Sequence, residues 1–106
     1  MFFELRQYRI RAGRRDEWVR LMEEKIIPFQ VSKGMVVVGS FVCEEDADLY
    51  VWMRRFDSEE ERERLYQEVY DSAYWQNEIS PQVGELLDRE MIQVTRLVAT
   101  PKSVTH

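Results

Sequence analysis

56-FDSEEERERLYQEVYDSAYWQ-76 joins a block of charge to a cluster of aromatic residues. If the charge were a binding surface, the segment would speak to function. If it is one amphipathic helix, it separates two strand-like segments and sets the topology. Ser58 with Glu61 three residues on is a capping-box pattern, with Asp57 just before it. Glu59, Glu60 and Glu61 fall in the first turn, where the helix dipole favours negative charge. Leu65 and Val69 mark a buried stripe, with Arg62, Tyr66 and Tyr70 at compatible offsets. Glu60 and Arg64 can pair on the outer face. The acidic run therefore reads as the solvated face of a helix rather than a metal or partner patch. Asp71-Ser72 restarts the capping pattern, predicting a short helix over 73–79. Ser80-Pro81 reads as a further break and restart, with Ser80 at the N-cap and Pro81 first in the helix.

Outward from that helix, 49-LYVWMRRF-56 reads as a strand paired in a hairpin with 35-MVVVGSFVC-43 across the acidic loop 44-EEDAD-48. The apolar, β-branched run 35–43 predicts a strand buried on both faces, and Gly39 within it predicts a bulge. Residues 15–30 carry Trp18, Leu21, Met22, Ile26 and Phe29 on one stripe, so they read as a helix. Pro28 should end or kink it near Ile27. Residues 2–10 and 91–99 read as strands, with Gly13 and Gly34 at reversals. The order β-α-β-β-α(α)-β is the split βαβ, or ferredoxin-like, arrangement. The expectation is one α+β domain over residues 1–99 and a polar tail over 100–106, with helices on one sheet face. The other face carries too many aromatics for water, which predicts a homodimer pairing two sheets face to face.

Composition removes several chemistries. Twenty acidic against fifteen basic residues give a net charge of −5, and no basic stripe offers itself to a phosphate backbone. No nucleic-acid partner is expected. No window approaches the roughly 18 apolar residues of a membrane span, and no leader precedes the first strand, so a cytoplasmic, non-membrane protein is expected. The single cysteine, Cys43, excludes an internal disulfide and reads as a small buried hydrophobe. The only histidine is the terminal His106. That argues against a histidine triad, a histidine-bound zinc and a histidine-bound haem. The four glycines are too dispersed for a phosphate loop. No metal and no cofactor is expected.

Three segments resemble the NIPSNAP family: the opening 3-FELRQYRIRAG-13, the turn into the second helix 56-FDSEEER-62, and 74-YWQ-76 preceded by Asp71. Their order and spacing extend the resemblance over roughly residues 2–98. It implies a dimeric α/β barrel. Other proteins built on that barrel include cofactor-independent monooxygenases, small-molecule isomerases, dehydratases and haem-handling enzymes, so the resemblance carries architecture further than chemistry.

The best polar constellation lies on two strands. Glu4, Arg6 and Tyr8 share a face of the first by two-residue alternation, opposite Phe3, Leu5 and Gln7. Tyr50, Trp52 and Arg54 share a face of the third. If both look into a cleft, Glu4 is a candidate base, Arg6 a candidate anion clamp and Tyr8 a candidate oxyanion donor. Tyr50, Trp52 and Arg54 would bind the substrate. This reading gives a small-molecule site that supports oxygenation or isomerisation without a metal. The competing reading is a non-catalytic scaffold dimer, with Glu4 and Arg6 as a structural ion pair and the aromatics as packing. An open cavity reached by Arg6 and Tyr8 separates the two.

Overall fold

Residues 49–56 alternate with a period of two. In the computed structural model, which describes residues 1–106, that alternation becomes burial: Tyr50, Trp52, Arg54 and Phe56 are buried and their neighbours half-exposed. This strand, β3 (Leu49–Phe56), lies beside β1 (Phe2–Arg9) and β2 (Val36–Val42), and β4 (Gln93–Leu97) flanks β1. The order is β2-β3-β1-β4 with every neighbouring pair antiparallel. The β1–β3 register sets Glu4 opposite Arg54, Arg6 opposite Trp52 and Tyr8 opposite Tyr50. Six residues from two strands therefore share one face.

Three helices cover that face. Helix α1 spans residues 15–32, α2 is Glu59–Tyr70 and α3 spans 73–86. Trp18, Leu21, Met22 and Ile26 of α1 and Ile79, Val83 and Leu86 of α3 close one core over Tyr8, Tyr50 and Trp52. Leu65 and Val69 of α2 close a second over Phe56 and Met35. Complete burial of such a side chain contributes about 1.5–3 kcal/mol. The Ser58 Oγ accepts from the Glu61 N–H at 3.1 Å, while the Glu61 carboxylate reaches back to the Asp57 N–H at 3.2 Å. The capping pattern thus forms, displaced by one residue on its return arm.

Pro28 does not end α1, which runs on past it. The α-helical turns Arg15–Leu21 give way to a π turn over Met22–Ile26, and α geometry resumes over Ile27–Ser32. Helix α3 repeats the device: a π turn over Trp75–Ile79, then Ser80–Leu86 with Pro81 near its start. In each case the wider turn lies just ahead of a proline, whose ring crowds the carbonyl four residues back and leaves it no N–H partner. The expected break at Ser80 is therefore absent. Ser80 sits in helical geometry inside a continuous helix and caps nothing.

Strand β2 is not buried on both faces. It is an edge strand, and Val36, Val38, Phe41 and Val42 are exposed. Its register slips between Val37 and Gly39, which forms the bulge. A Cβ at Gly39 would lie 2.5 Å from the far edge of the exposed Phe41 ring, which would have to swing aside. Cys43 is half-buried, and its carbonyl accepts from Arg15 Nη1. Phe3, Leu5, Val51 and Met53 lie on the face without helices. Residues after β4 cross part of that face, where Val98, Ser103 and Thr105 border a shallow pocket floored by Phe3 and Met53. The Arg55 guanidinium donates to the His106 carbonyl at 2.9 Å.

Candidate functional site

Arg54 anchors the polar interior. It is fully buried, and its guanidinium donates to Glu4 at 3.0 Å, to Tyr66 at 2.7 Å, to Tyr70 at 2.8 Å and to the Gln30 side-chain carbonyl at 2.8 Å. Its carbon lies 4.7 Å from the Trp52 ring centroid. Burial works against this charge, but the Tyr70, Tyr66 and Tyr8 oxygens and Glu4 outweigh it and keep the guanidinium charged. Glu4 is equally buried. It accepts from Arg54, from Tyr66 at 2.6 Å and from Arg62 at 2.5 Å. Burial raises the Glu4 carboxyl, and the hydrogen bonds from Tyr66 and Arg62 and the charge of Arg54 more than reverse that. The carboxyl sits below the usual carboxylate range.

Beside this cluster lies a cavity of about 210 Å³ between β1, β3 and the helices α1 and α3. Arg6, Tyr8, Trp52 and Tyr70 form its polar wall, and Trp18, Met22, Ile26, Trp75 and Val83 its apolar one. Arg89 and Ser80 also line it. Both π turns contribute, through Met22, Ile26 and Trp75. Tyr8 is clamped on two sides: Arg6 Nε donates to its oxygen at 2.8 Å and Trp52 Nε1 at 2.9 Å. Burial pushes the Tyr8 hydroxyl up, and the charge of Arg6 pulls it only partly back, so it stays protonated at neutral pH. A charged groove of about 250 Å³ also runs over the surface between α1 and α3, but only two of its nine lining residues are hydrophobic and its Arg14 already pairs with Glu17.

Of the six residues singled out from the sequence, Arg6, Tyr8 and Trp52 line the cavity. Glu4, Tyr50 and Arg54 share the same sheet face but do not. Tyr50 turns to Ser40 at 2.5 Å, and Glu4 and Arg54 are spent on each other and on α2. All six face the helices, not the open side of the sheet. Sequence reading missed Tyr66, Tyr70, Arg62 and Gln30 as members of the polar cluster. The signal was present, since Arg62, Tyr66 and Tyr70 occupy the inward stripe of α2, but a stripe of polar-tipped residues does not say what it meets. Trp18 and Trp75 pack in the core and also form walls of the cavity. No group of three or more His, Cys, Asp or Glu side chains is placed to hold a metal ion, and no helix is long and apolar enough to cross a membrane.

Comparison with family models matches residues 3–102 to NIPSNAP. A search of curated proteins returned no match. Among solved structures, the chain is similar to a NIPSNAP family protein from Agrobacterium tumefaciens (TM-score 0.87, 26% identity, covering 99% of this chain and 98% of that one). It is also similar to a second from the same bacterium, described as of unknown function (TM-score 0.89, 21% identity, 100% and 94%). More remotely it resembles an antibiotic biosynthesis monooxygenase (TM-score 0.69, 14% identity, 95% and 100%), a likeness of fold alone. Matched over nearly its whole length, the chain belongs to the NIPSNAP family.

Proposed function

We propose that this protein is a homodimer in which each subunit binds one small organic molecule in the cavity between sheet and helices, at Arg6, Tyr8 and Trp52. One observation carries the reading: beside the self-satisfied Glu4–Arg54 cluster there is open space, and Arg6 and Tyr8 border it. A scaffold would fill that space with its own side chains. Glu4 is in this reading a positioning residue, holding Arg54 and, through Tyr66, the neighbourhood of Arg6. No carboxylate, histidine, cysteine or lysine lines the cavity. An isomerase using Glu4 as its base is therefore the weaker form of the proposal. Oxygenation of a substrate that ionises by itself needs no protein base and fits the lining better. The dimer is supported by the exposed apolar side chains of Phe41, Val36 and Leu97, together with Met53 and Leu5.

Native mass spectrometry of the protein purified from its own host tests both parts. The expected species is a dimer carrying up to two copies of a small molecule, and a Val83→Trp variant, whose new ring occupies the cavity, should lose that mass while remaining dimeric. A ligand-free wild type whose Val83→Trp variant melts higher would mean that the cavity is only a void.

A further inference from the structure

The hydrogen-bond inventory of the cavity wall is one-sided. Tyr8 Oη accepts from Arg6 Nε and Trp52 Nε1, two groups that can only donate, so the Tyr8 hydroxyl hydrogen has no acceptor in the protein. Tyr70 repeats the pattern: its oxygen accepts from Arg54 Nη1 at 2.8 Å and from Gln30 Nε2 at 3.3 Å. Its hydrogen is equally uncommitted. Arg6 donates through Nε and, at 3.4 Å, through Nη1 to Tyr66, while its Nη2 makes no hydrogen bond. Trp18 is 1% exposed, and its indole N–H has no acceptor. Arg89, whose Nη2 donates to Ser80, has no carboxylate partner. Native interiors leave few buried donors unpaired. Here buried Tyr8 and Trp18 face one cavity, with half-buried Arg6 and Tyr70 beside them and exposed Arg89 at its rim.

The charge is one-sided too. Glu4 is the single buried carboxylate, and Arg54 and Arg62 both hold it. Arg6 approaches it only at 3.9 Å, at the oxygen already taken by Arg54 and Tyr66. The Arg6 side chain is 17% exposed and lacks an anion of its own. A largely buried guanidinium without a counter-charge is costly unless a partner arrives.

Size and shape narrow the partner. The cavity's 210 Å³ falls below the roughly 300–1,000 Å³ of drug-sized sites and above the roughly 150 Å³ that suffices for benzene. Trp18, Trp52, Trp75, Tyr8 and Tyr70 present ring faces and edges around it. We infer that the ligand of this cavity is a single-ring aromatic oxyanion, a carboxylate or phenolate/enolate, whose oxygens accept from Arg6 and from the Tyr8 and Tyr70 hydroxyls. This rests on the cavity being a small-molecule site and adds the class of molecule it takes.

Isothermal titration of the intact protein with benzoate and with its neutral isostere benzamide decides the matter. Benzoate should bind at least about tenfold more tightly, since benzamide brings donors to a wall of donors. Arg6→Gln should erase that preference, and Arg6→Lys should restore part of it. The wild-type comparison stands even if an Arg6 variant fails to fold. Equal affinities would overturn the oxyanion inference and leave the binding cavity intact. Failure of both compounds to bind at millimolar concentration would overturn the single-ring oxyanion inference, while host-purified protein that still carries a small molecule would leave the cavity reading standing.

Discussion

Glu4 and Arg54 form a buried pair whose removal by halves is more costly than its presence is beneficial. In Glu4→Gln the fully buried Arg54 keeps its charge and loses its counter-ion. The expected cost at neutral pH is about 3–5 kcal/mol in chemical denaturation; a loss below about 1 kcal/mol would mean that Tyr66, Tyr70 and Gln30 suffice to hold Arg54. The same residue gives a pH signature. Its folded carboxyl lies below the unfolded value near 4.3. The stabilisation is therefore complete above that value and is lost as pH falls through the folded one. Acid titration of stability should show this loss in the wild type and not in Glu4→Gln. At the other end, burial lifts Tyr66 to about 12. Its contribution is intact below about 10 and disappears as pH rises towards 12, and Tyr66→Phe should remove that alkaline dependence.

Elements were legible where one pattern governed them. The alternation of 49–56 and the cap at Ser58 survive into the structure because nothing competes with them. Ser58→Ala should cost about 1 kcal/mol of thermal stability, and an unchanged melting temperature would show that Glu61 and Asp57 hold the turn alone. Patterns failed where the outcome depended on what lay across the gap. The apolar composition of 35–43 is that of an interior strand, yet β2 is an edge, because burial depends on a second layer that its own residues cannot report. Ser80-Pro81 carries the letters of a helix start and lies inside a helix, because the π turn ahead of it absorbs the proline. The candidate site was half legible. Alternation placed Glu4, Arg6 and Tyr8 on one face, but their division into a closed cluster and an open wall comes from α2, whose tyrosines reach inward from a helix read as charged.

At the scale of the molecule, the radius of gyration of 14.0 Å exceeds the roughly 13 Å typical of a domain of this length. The extents of 40 × 36 × 23 Å are those of a slab, two layers thick, with helices on one side only. A second sheet against the bare side would complete it. Sedimentation at micromolar concentration should therefore give a dimer, and Phe41→Lys combined with Met53→Lys should give a folded monomer with unchanged circular dichroism. A wild-type monomer under those conditions would remove the dimer from the proposal without touching the cavity, which lies on the opposite side of the sheet.

The two proline-led π turns have a consequence for how this scaffold can change. A π turn holds one residue more than the α turn it replaces, so each helix carries a spare residue at the position that faces the cavity. Deleting one residue there lets the helix close to α geometry while every later side chain keeps its place around the axis, because the π turn had already absorbed the extra residue. Such a deletion re-lines the pocket only within the turn, at Met22 and Ile26 or at Trp75, while the later helix, the sheet and the Glu4–Arg54 cluster stay in place. Relatives that differ by a single residue in these two turns would then share the fold and most of the pocket, and differ where the turn itself forms the wall.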